Sequence, residues 1–310
     1  MAKAKRWSRY KGGTFYLFTS PWILGFLLLT AVPLGYAFAI SLTNFDGASS
    51  RWRWVGARNY VELMHDSAAW ASLLRTLAYT AIAVPLSVAG GLALAVVLNR
   101  RLKAVGLFRT IFFLPSVVPV VALAIMWRLV FNRDAGILNA VIEKVGVPPI
   151  TWLVDPTAFY ALVILTVWGL GGGMVIMLAA LQGVPQELEE AARIDGAGAW
   201  HVFRHVTVPM ISPVIFFQLV TGTITAFQIF IQPLLLGGSG LVGQVGLAPQ
   251  STHLYMVQVY EEYFLHNRFG YGSAMLFVFF VIILLITLVV QRSSRLWVHY
   301  NVEVDGDDDR

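Results

Sequence analysis

The chain has 310 residues, 57% hydrophobic and only 13% charged, with a mean hydropathy of +0.70. That balance leaves too little charged surface for a soluble domain and reads as one integral membrane domain. A net charge of +5 does not indicate nucleic acid, because the basic residues fall in short clusters beside apolar runs, and the lack of cysteine excludes disulfides, thiol catalysis and cysteine-ligated metal.

Uncharged apolar runs of about 20 residues predict an all-α fold of six transmembrane helices: Tyr16–Leu42, Thr76–Leu98, Thr110–Trp127, Thr157–Leu181, Ile211–Leu236 and Gly270–Val290. The first is too long for the apolar region of a signal peptide and has no small-residue cleavage pattern, so it is read as an anchor. Lys3, Lys5, Arg6, Arg9 and Lys11 precede it, Arg100, Arg101 and Lys103 follow the second span, and Arg292 and Arg295 follow the sixth. By the positive-inside rule these places, and with them both termini, face the cytoplasm. The expected division is a cytoplasmic segment over 1–15, a membrane domain over 16–290 and a cytoplasmic tail over 291–310, whose "DGDDDR" end reads as solvated. In the outer loop after the first span, Asn59 and Glu62 have the spacing of a capping box ahead of an interfacial helix.

The six runs contain no Asp, Glu, Lys or His; Arg75, Arg109 and Arg128 lie at their ends, within reach of the interface. A proton-coupled secondary transporter needs a titratable group inside the membrane, and a self-powered pump needs a phosphate loop. Neither is present, which places any energy source on another subunit. His201 and His205 share a helix face at i, i+4, but no third ligand stands at a metal-binding spacing. There is no G-x-S-x-G for a serine hydrolase, and an intramembrane enzyme would lack acids, His and Cys.

The third and second spans carry Pro115, Pro119 and Pro85, which predict kinks. In the fourth, Gly171, Gly172 and Gly173 follow Trp168 and mark a break, a hinge or close helix packing around a candidate pathway. The fifth is the most polar: Gln218, Thr221, Thr225, Gln228 and Gln232 recur at intervals of three and four and share one narrow face of a continuous helix. Such a stripe serves either helix-to-helix hydrogen bonding or a path for solute, and its uncharged amides and hydroxyls suit a neutral, hydroxyl-rich solute.

Between the fourth and fifth spans, residues 183–209 include "QELEEAARIDGAGAWHVFRHVTVP". Good helix formers around Glu190, Ala191 and Ala192, a turn at Asp195 and Gly196, and a second short helix with an apolar edge of Trp200, Phe203 and Val206 predict a cytoplasmic helix-turn-helix that ends at Pro209. An exposed apolar edge there calls for a partner.

This segment resembles the signature of the inner-membrane permease subunits of bacterial ABC importers, in which E-A-A is followed after three residues by G and after nine more by I-x-L-P. Here Glu190-Ala191-Ala192, Gly196 and Val206-Thr207-Val208-Pro209 keep that spacing, with valines for Ile and Leu. "NYVELM", "GLFRTIFFLPSVVP", "WRLVFN", "AFQIF" and "FGYGSAMLFVFF" are similar to the carbohydrate-uptake, MalF-like branch. The chain departs from that branch at Ile231, where members often carry an acid, and at Leu236-Gly237-Gly238-Ser239-Gly240, where they carry T-G-G-G-P. The resemblance implies a bacterial cytoplasmic membrane protein that binds no cofactor itself and performs no covalent chemistry. It implies a second homologous permease subunit, two cytoplasmic ATPases holding ATP and Mg, and an extracytoplasmic solute-binding protein. Glu190, Ala191, Ala192, Asp195, Gly196, Trp200, Phe203 and Pro209 would contact the ATPase, and the fifth span would contribute to the path of a sugar. Glycerol phosphate or a polyol is the alternative cargo, and a secondary transporter is the further alternative.

Overall fold

The structure is a computed structural model that describes residues 12–49, 52–100, 103–237 and 248–299. Lys3, Lys5, Arg6, Arg9, Lys11, Arg101, Gly238-Ser239-Gly240 and the "DGDDDR" end lie outside the described residues. In chain order the helices are α1 (Gly12–Phe26), α2 (Val32–Ser41), α3 (Arg58–His65), α4 (Ser67–Leu98), α5 (Val105–Phe113), α6 (Val120–Val130), α7 (Ile137–Lys144), α8 (Ala158–Trp168), α9 (Gly171–Gln182), α10 (Gln186–Ile194), α11 (Ala199–Val202), α12 (Val208–Phe227), α13 (Ile231–Leu236), α14 (Tyr255–Phe264) and α15 (Phe269–Trp297). Among the described residues there is no strand, only an isolated bridge between Thr43 and Trp54.

Among the described residues, four stretches are long and apolar enough to span a bilayer as they stand: Phe15–Ser41, Ser67–Leu98, Ala199–Phe227 and Phe269–Trp297. Two further candidates are broken, Val105–Val117 with Val120–Val130 at 103° and Ala158–Trp168 with Gly171–Gln182 at 43°, so the described residues hold up to six spans. The third predicted span is therefore a sharp corner rather than a kinked rod. Pro115 sits in a 3-10 turn and Pro119 precedes α6, where a ring without an N–H removes no helical bond. Pro85, by contrast, lies inside a helix that runs unbroken for 32 residues.

By contact, the chain divides into two units: residues 1–66 with 260–279, and residues 67–259 with 280–310. In the first unit, Asn59 closes the end of α2 by donating its amide to the carbonyls of Ser41 and Thr43, each at 2.8 Å. The Ser41 carbonyl is one that the helix end leaves without a donor of its own, and Thr43 lies two residues beyond it. The expected capping box is not formed: Ala57 precedes α3, Asn59 is already its second residue, and Glu62 pairs with Arg268. Arg268 also reaches Glu262 and lies 4.2 Å over the Tyr271 ring, and Tyr271 donates to Asp66. A side chain on Gly270 would meet the Thr43 carbonyl, and its N–H donates to Phe45 O at 2.9 Å.

In the second unit, α4 is the central helix, packed against α8, α9 and α12. The first turn of α9 makes the closest approaches. A Cβ on Gly171 would overlap the Phe112 carbonyl, and Gly91 of α4 lies against the backbone of Gly173 and Met174, so these glycines let helices touch backbone to backbone. Outside the spans, Asp155 accepts the backbone N–H groups of Gln250 and Ser251 at 2.8 Å each. Partial burial acts to raise its carboxyl, but the hydrogen bonds from Ser251 and Gln250 and the charge of Arg75 outweigh it, leaving the carboxyl below its ordinary value.

Two outcomes follow for stability. Gly171→Ala should destabilise the detergent-purified protein by about 1–3 kcal/mol through overpacking, read as a lowered thermal midpoint. Gly172→Ala, whose Cβ would meet only Ser116 at 3.7 Å, should leave the midpoint unchanged. Because the folded carboxyl of Asp155 is depressed, its contribution is complete above the unfolded value of about 3.9 and fades as pH falls through the folded value. Asp155→Asn should thus be less stable than wild type at pH 7, and the gap should close on titration below about pH 4.

Candidate functional site

The second unit encloses a cavity of about 670 Å³ that α4, α6, α8, α9, α12, α13 and the residues joining α12 to α13 line. All five residues of the predicted polar stripe, Gln218, Thr221, Thr225, Gln228 and Gln232, are among its walls. They reach it differently from the expectation. Only Gln218, Thr221 and Thr225 stand on α12, which ends at Phe227; Gln228 follows the helix end and Gln232 belongs to α13. The break accommodates a proline. A helix continued through Pro233 would leave the Ile229 carbonyl without its donor, whereas in the first turn of α13 the missing N–H costs nothing.

The polar groups differ in how much of their bonding capacity is already used. Gln218 donates its amide to the carbonyl of Gly173 at 2.8 Å, and a Cβ at Gly173 would come 2.6 Å from the Gln218 carbonyl oxygen. Thr221 and Thr225 donate their hydroxyls one turn back, to Phe217 and Thr221 carbonyls, and keep their lone pairs for an incoming donor. Among the described residues, the side chains of Gln228 and Gln232 have no hydrogen-bond partner within the chain, and Gln228, Thr221 and Thr225 are exposed. The cavity is therefore open at the face that carries the stripe.

Opposite the stripe, Tyr79 and Thr166 share a hydrogen bond of 2.7 Å, and the Ser87 hydroxyl makes none within the described residues. These three were not singled out from sequence, since isolated hydroxyls in apolar helices carry no periodic signal. The remaining walls are mostly aliphatic, including Val84, Val88, Leu123, Leu165 and Leu170, and no lining residue is charged. Of the glycines, Gly169, Gly173 and Gly222 face the cavity, while Gly171 and Gly172 are not among its walls. Gly171 serves close packing instead. Chemically the arrangement offers amide and hydroxyl partners along one side and apolar surface along the others, with no acid or base for covalent work.

The segment 183–209 is built as a helix with a glycine-terminated end. Glu187 and Glu189 lie in the first turn of α10, where carboxylates complement the helix dipole. At its other end Gly196 has φ +87°, its N–H donates to Arg193 O, and the N–H of Ala197 donates to Ala192 O, each at 3.0 Å. These two bonds are a Schellman closure, in which the left-handed residue is favoured as glycine. Beyond it, α11 passes through a π-helical turn, Phe203–Thr207, into α12, so the expected short second helix is the start of a 29-residue helix from Ala199. Pro209 is the second residue of α12.

Thr207 donates to Glu189 at 3.0 Å and Arg193 lies 3.5 Å from the same carboxylate, joining α10 to the π turn. The predicted apolar edge is only partly free. Trp200 is 69% exposed and its ring lies 5.7 Å from that of Phe203, which with Val206 is half-buried. Leu188 and Ile194 add exposed apolar surface on α10, beside the exposed Glu190, Ala191 and Asp195; Ala192 is half-buried.

The family model for the binding-protein-dependent transport system inner membrane component matches residues 87–297. The chain is 39% identical over 289 residues to the probable ABC transporter permease protein YesP of Bacillus subtilis, covering 92% of this chain and 91% of that one. It is 34% identical over 282 residues to the trehalose/maltose transport system permease protein MalF of Thermococcus litoralis, covering 90% and 93%. Among solved structures, a chain of a bacterial ABC transporter involved in the import of the acidic polysaccharide alginate superposes with a TM-score of 0.77 at 20% identity, over 91% of this chain and 95% of that one. The multi-span helical fold, the spaced pattern from Glu190 to Pro209 and the match over residues 87–297 converge: the chain is a multi-pass membrane protein that belongs to the family of inner-membrane components of binding-protein-dependent transport systems.

Proposed function

We propose that this chain is a permease subunit of an ATP-driven importer for a sugar or oligosaccharide and forms half of the translocation path. The observation that carries the reading is the cavity, whose uncharged amides and hydroxyls face aliphatic walls. A sugar presents the matching pair of surfaces, hydroxyls around its rim and C–H groups on its faces. Relatives named for trehalose/maltose, arabinooligosaccharides and lactose transport support the same class of cargo. The open side, where Thr221, Thr225 and Gln228 are exposed, would be closed by a second permease subunit of the same kind. A solute-binding protein outside the membrane would deliver the cargo.

In this reading the segment 183–209 faces the cytoplasm, as do both termini, and docks on an ATPase that binds ATP and Mg. Leu188, Ile194 and Trp200 offer apolar surface to that partner, and the Schellman turn at Gly196 sets the angle at which it is presented. Closure of two ATPases on the two permeases would rock the helices around the cavity between outward and inward access.

Two measurements test these assignments. In proteoliposomes holding the assembled transporter, uptake of trehalose, maltose, lactose and arabino-oligosaccharides is expected for at least one sugar and to require ATP. Gln228→Ala with Gln232→Ala should raise the half-saturating concentration roughly tenfold, since two hydrogen bonds of roughly 0.5–1.5 kcal/mol each are removed, without lowering the thermal midpoint. Unchanged uptake kinetics would remove both amides from the path. Gly196→Pro, or deletion of residues 196–203, should abolish uptake and ATPase association while the chain still inserts in the membrane; uptake that survives the deletion overturns the docking assignment.

A further inference from the structure

The C-terminal end of α15 is fastened to the first turns of α12 through one hydroxyl. Pro213 lies inside α12 and brings no N–H, so the Pro209 carbonyl four residues earlier has no donor in the helix. Ser212 takes that place, its hydroxyl donating to Pro209 O at 2.7 Å. The same oxygen accepts the backbone N–H of His299 at 2.9 Å. Ser212 is buried, and beside it Trp297, the last residue of α15, packs edge-on against Phe216 with ring centroids 6.0 Å apart.

The position of this clasp matters more than its strength. A proline inside a helix leaves a point that bends easily, because one rung of the hydrogen-bond ladder is missing. Here that point stands between the segment 199–207 and the polar residues of α12, on the continuous helix that joins them. The Ser212 hydroxyl restores the rung from the side and, through His299, adds the end of a second span to the same joint.

We propose that Ser212 is a positioning residue that stiffens the Pro209–Pro213 joint and ties the end of α15 to it, so that displacement of the segment 183–209 moves both spans together. The proposal rests on that segment being the ATPase contact. Without the clasp, a push on the segment is absorbed by bending at the joint: ATP is hydrolysed and less solute crosses.

The test uses the complete transporter in proteoliposomes, with the panel of sugars named above, and reads sugar imported per ATP hydrolysed at equal amounts of assembled complex. Ser212→Ala should lower that ratio roughly three- to tenfold, the effect of one or two net hydrogen bonds, with assembly unchanged. Ser212→Thr keeps the hydroxyl and should restore the ratio. His299→Ala keeps the backbone N–H and should be silent, whereas His299→Pro removes only the tie to α15 and should give a smaller defect of the same kind, with the double variant no worse than Ser212→Ala alone. A wild-type ratio in Ser212→Ala overturns the proposal, as does loss of assembly, hydrolysis and uptake in equal proportion. Deletion of residues 196–203 separates the two readings: if it abolishes uptake while Ser212→Ala keeps the normal ratio, only the clasp fails, and if uptake survives the deletion, the ATPase contact fails with it.

Discussion

Everything around the cavity depends on how closely the first turn of α9 approaches its neighbours. Inside a bilayer, helices gain little from burying apolar side chains against one another, since lipid offers the same surface, and association relies on close packing and hydrogen bonds. Gly171 brings α9 onto the Phe112 carbonyl, Gly91 brings α4 onto the backbone at Gly173, and the bare Gly173 lets Gln218 bond its carbonyl. Larger residues at these positions would push α4, α5 and α12 outward and spread the walls that hold Tyr79, Thr166 and the polar stripe. The tripeptide that looks like a weakness in a helix is the contact that holds three helices at the cavity's edge.

A second constraint is that every backbone polar group interrupted within the membrane needs a substitute partner. The chain meets it differently at four of its prolines. Pro115 and Pro119 fall where a helix ends and another starts, and Pro233 falls in a first turn, so no rung is lost. Pro213 does interrupt the ladder, and there the Ser212 hydroxyl fills the gap. The end of α12 at Phe227 re-aims Gln228 and Gln232 toward the same space as Gln218.

The segment 183–209 shows why some local features were legible in advance. Helix formers, a glycine and the spacing to Pro209 specify a helix and its stop through bonds between near neighbours, and the Schellman pair at Gly196 and Ala197 is such a local structure. The capping-box reading of Asn59 and Glu62 went astray for the opposite reason. Both side chains have partners far along the chain, the Ser41 and Thr43 carbonyls and Arg268, and long-range partners outcompete a local cap that only spacing supports.

The sequence by itself determined that the protein crosses the membrane several times as helices, that its spans carry almost no charge, that one span bears a run of amides and hydroxyls, and that a helix with a glycine stop sits between two spans. These follow from composition and short-range periodicity, which act residue by residue. Only the tertiary structure decided that the run is split by a helix break yet still lines one cavity, that Tyr79, Thr166 and Ser87 complete it, that Gly171 packs while Gly173 faces inward, and that Ser212 joins the end of one span to the joint of another. Those outcomes depend on which helices meet and at what angle, and a linear chain of apolar residues, each equally at ease against lipid, does not encode that choice in any pattern shorter than the fold.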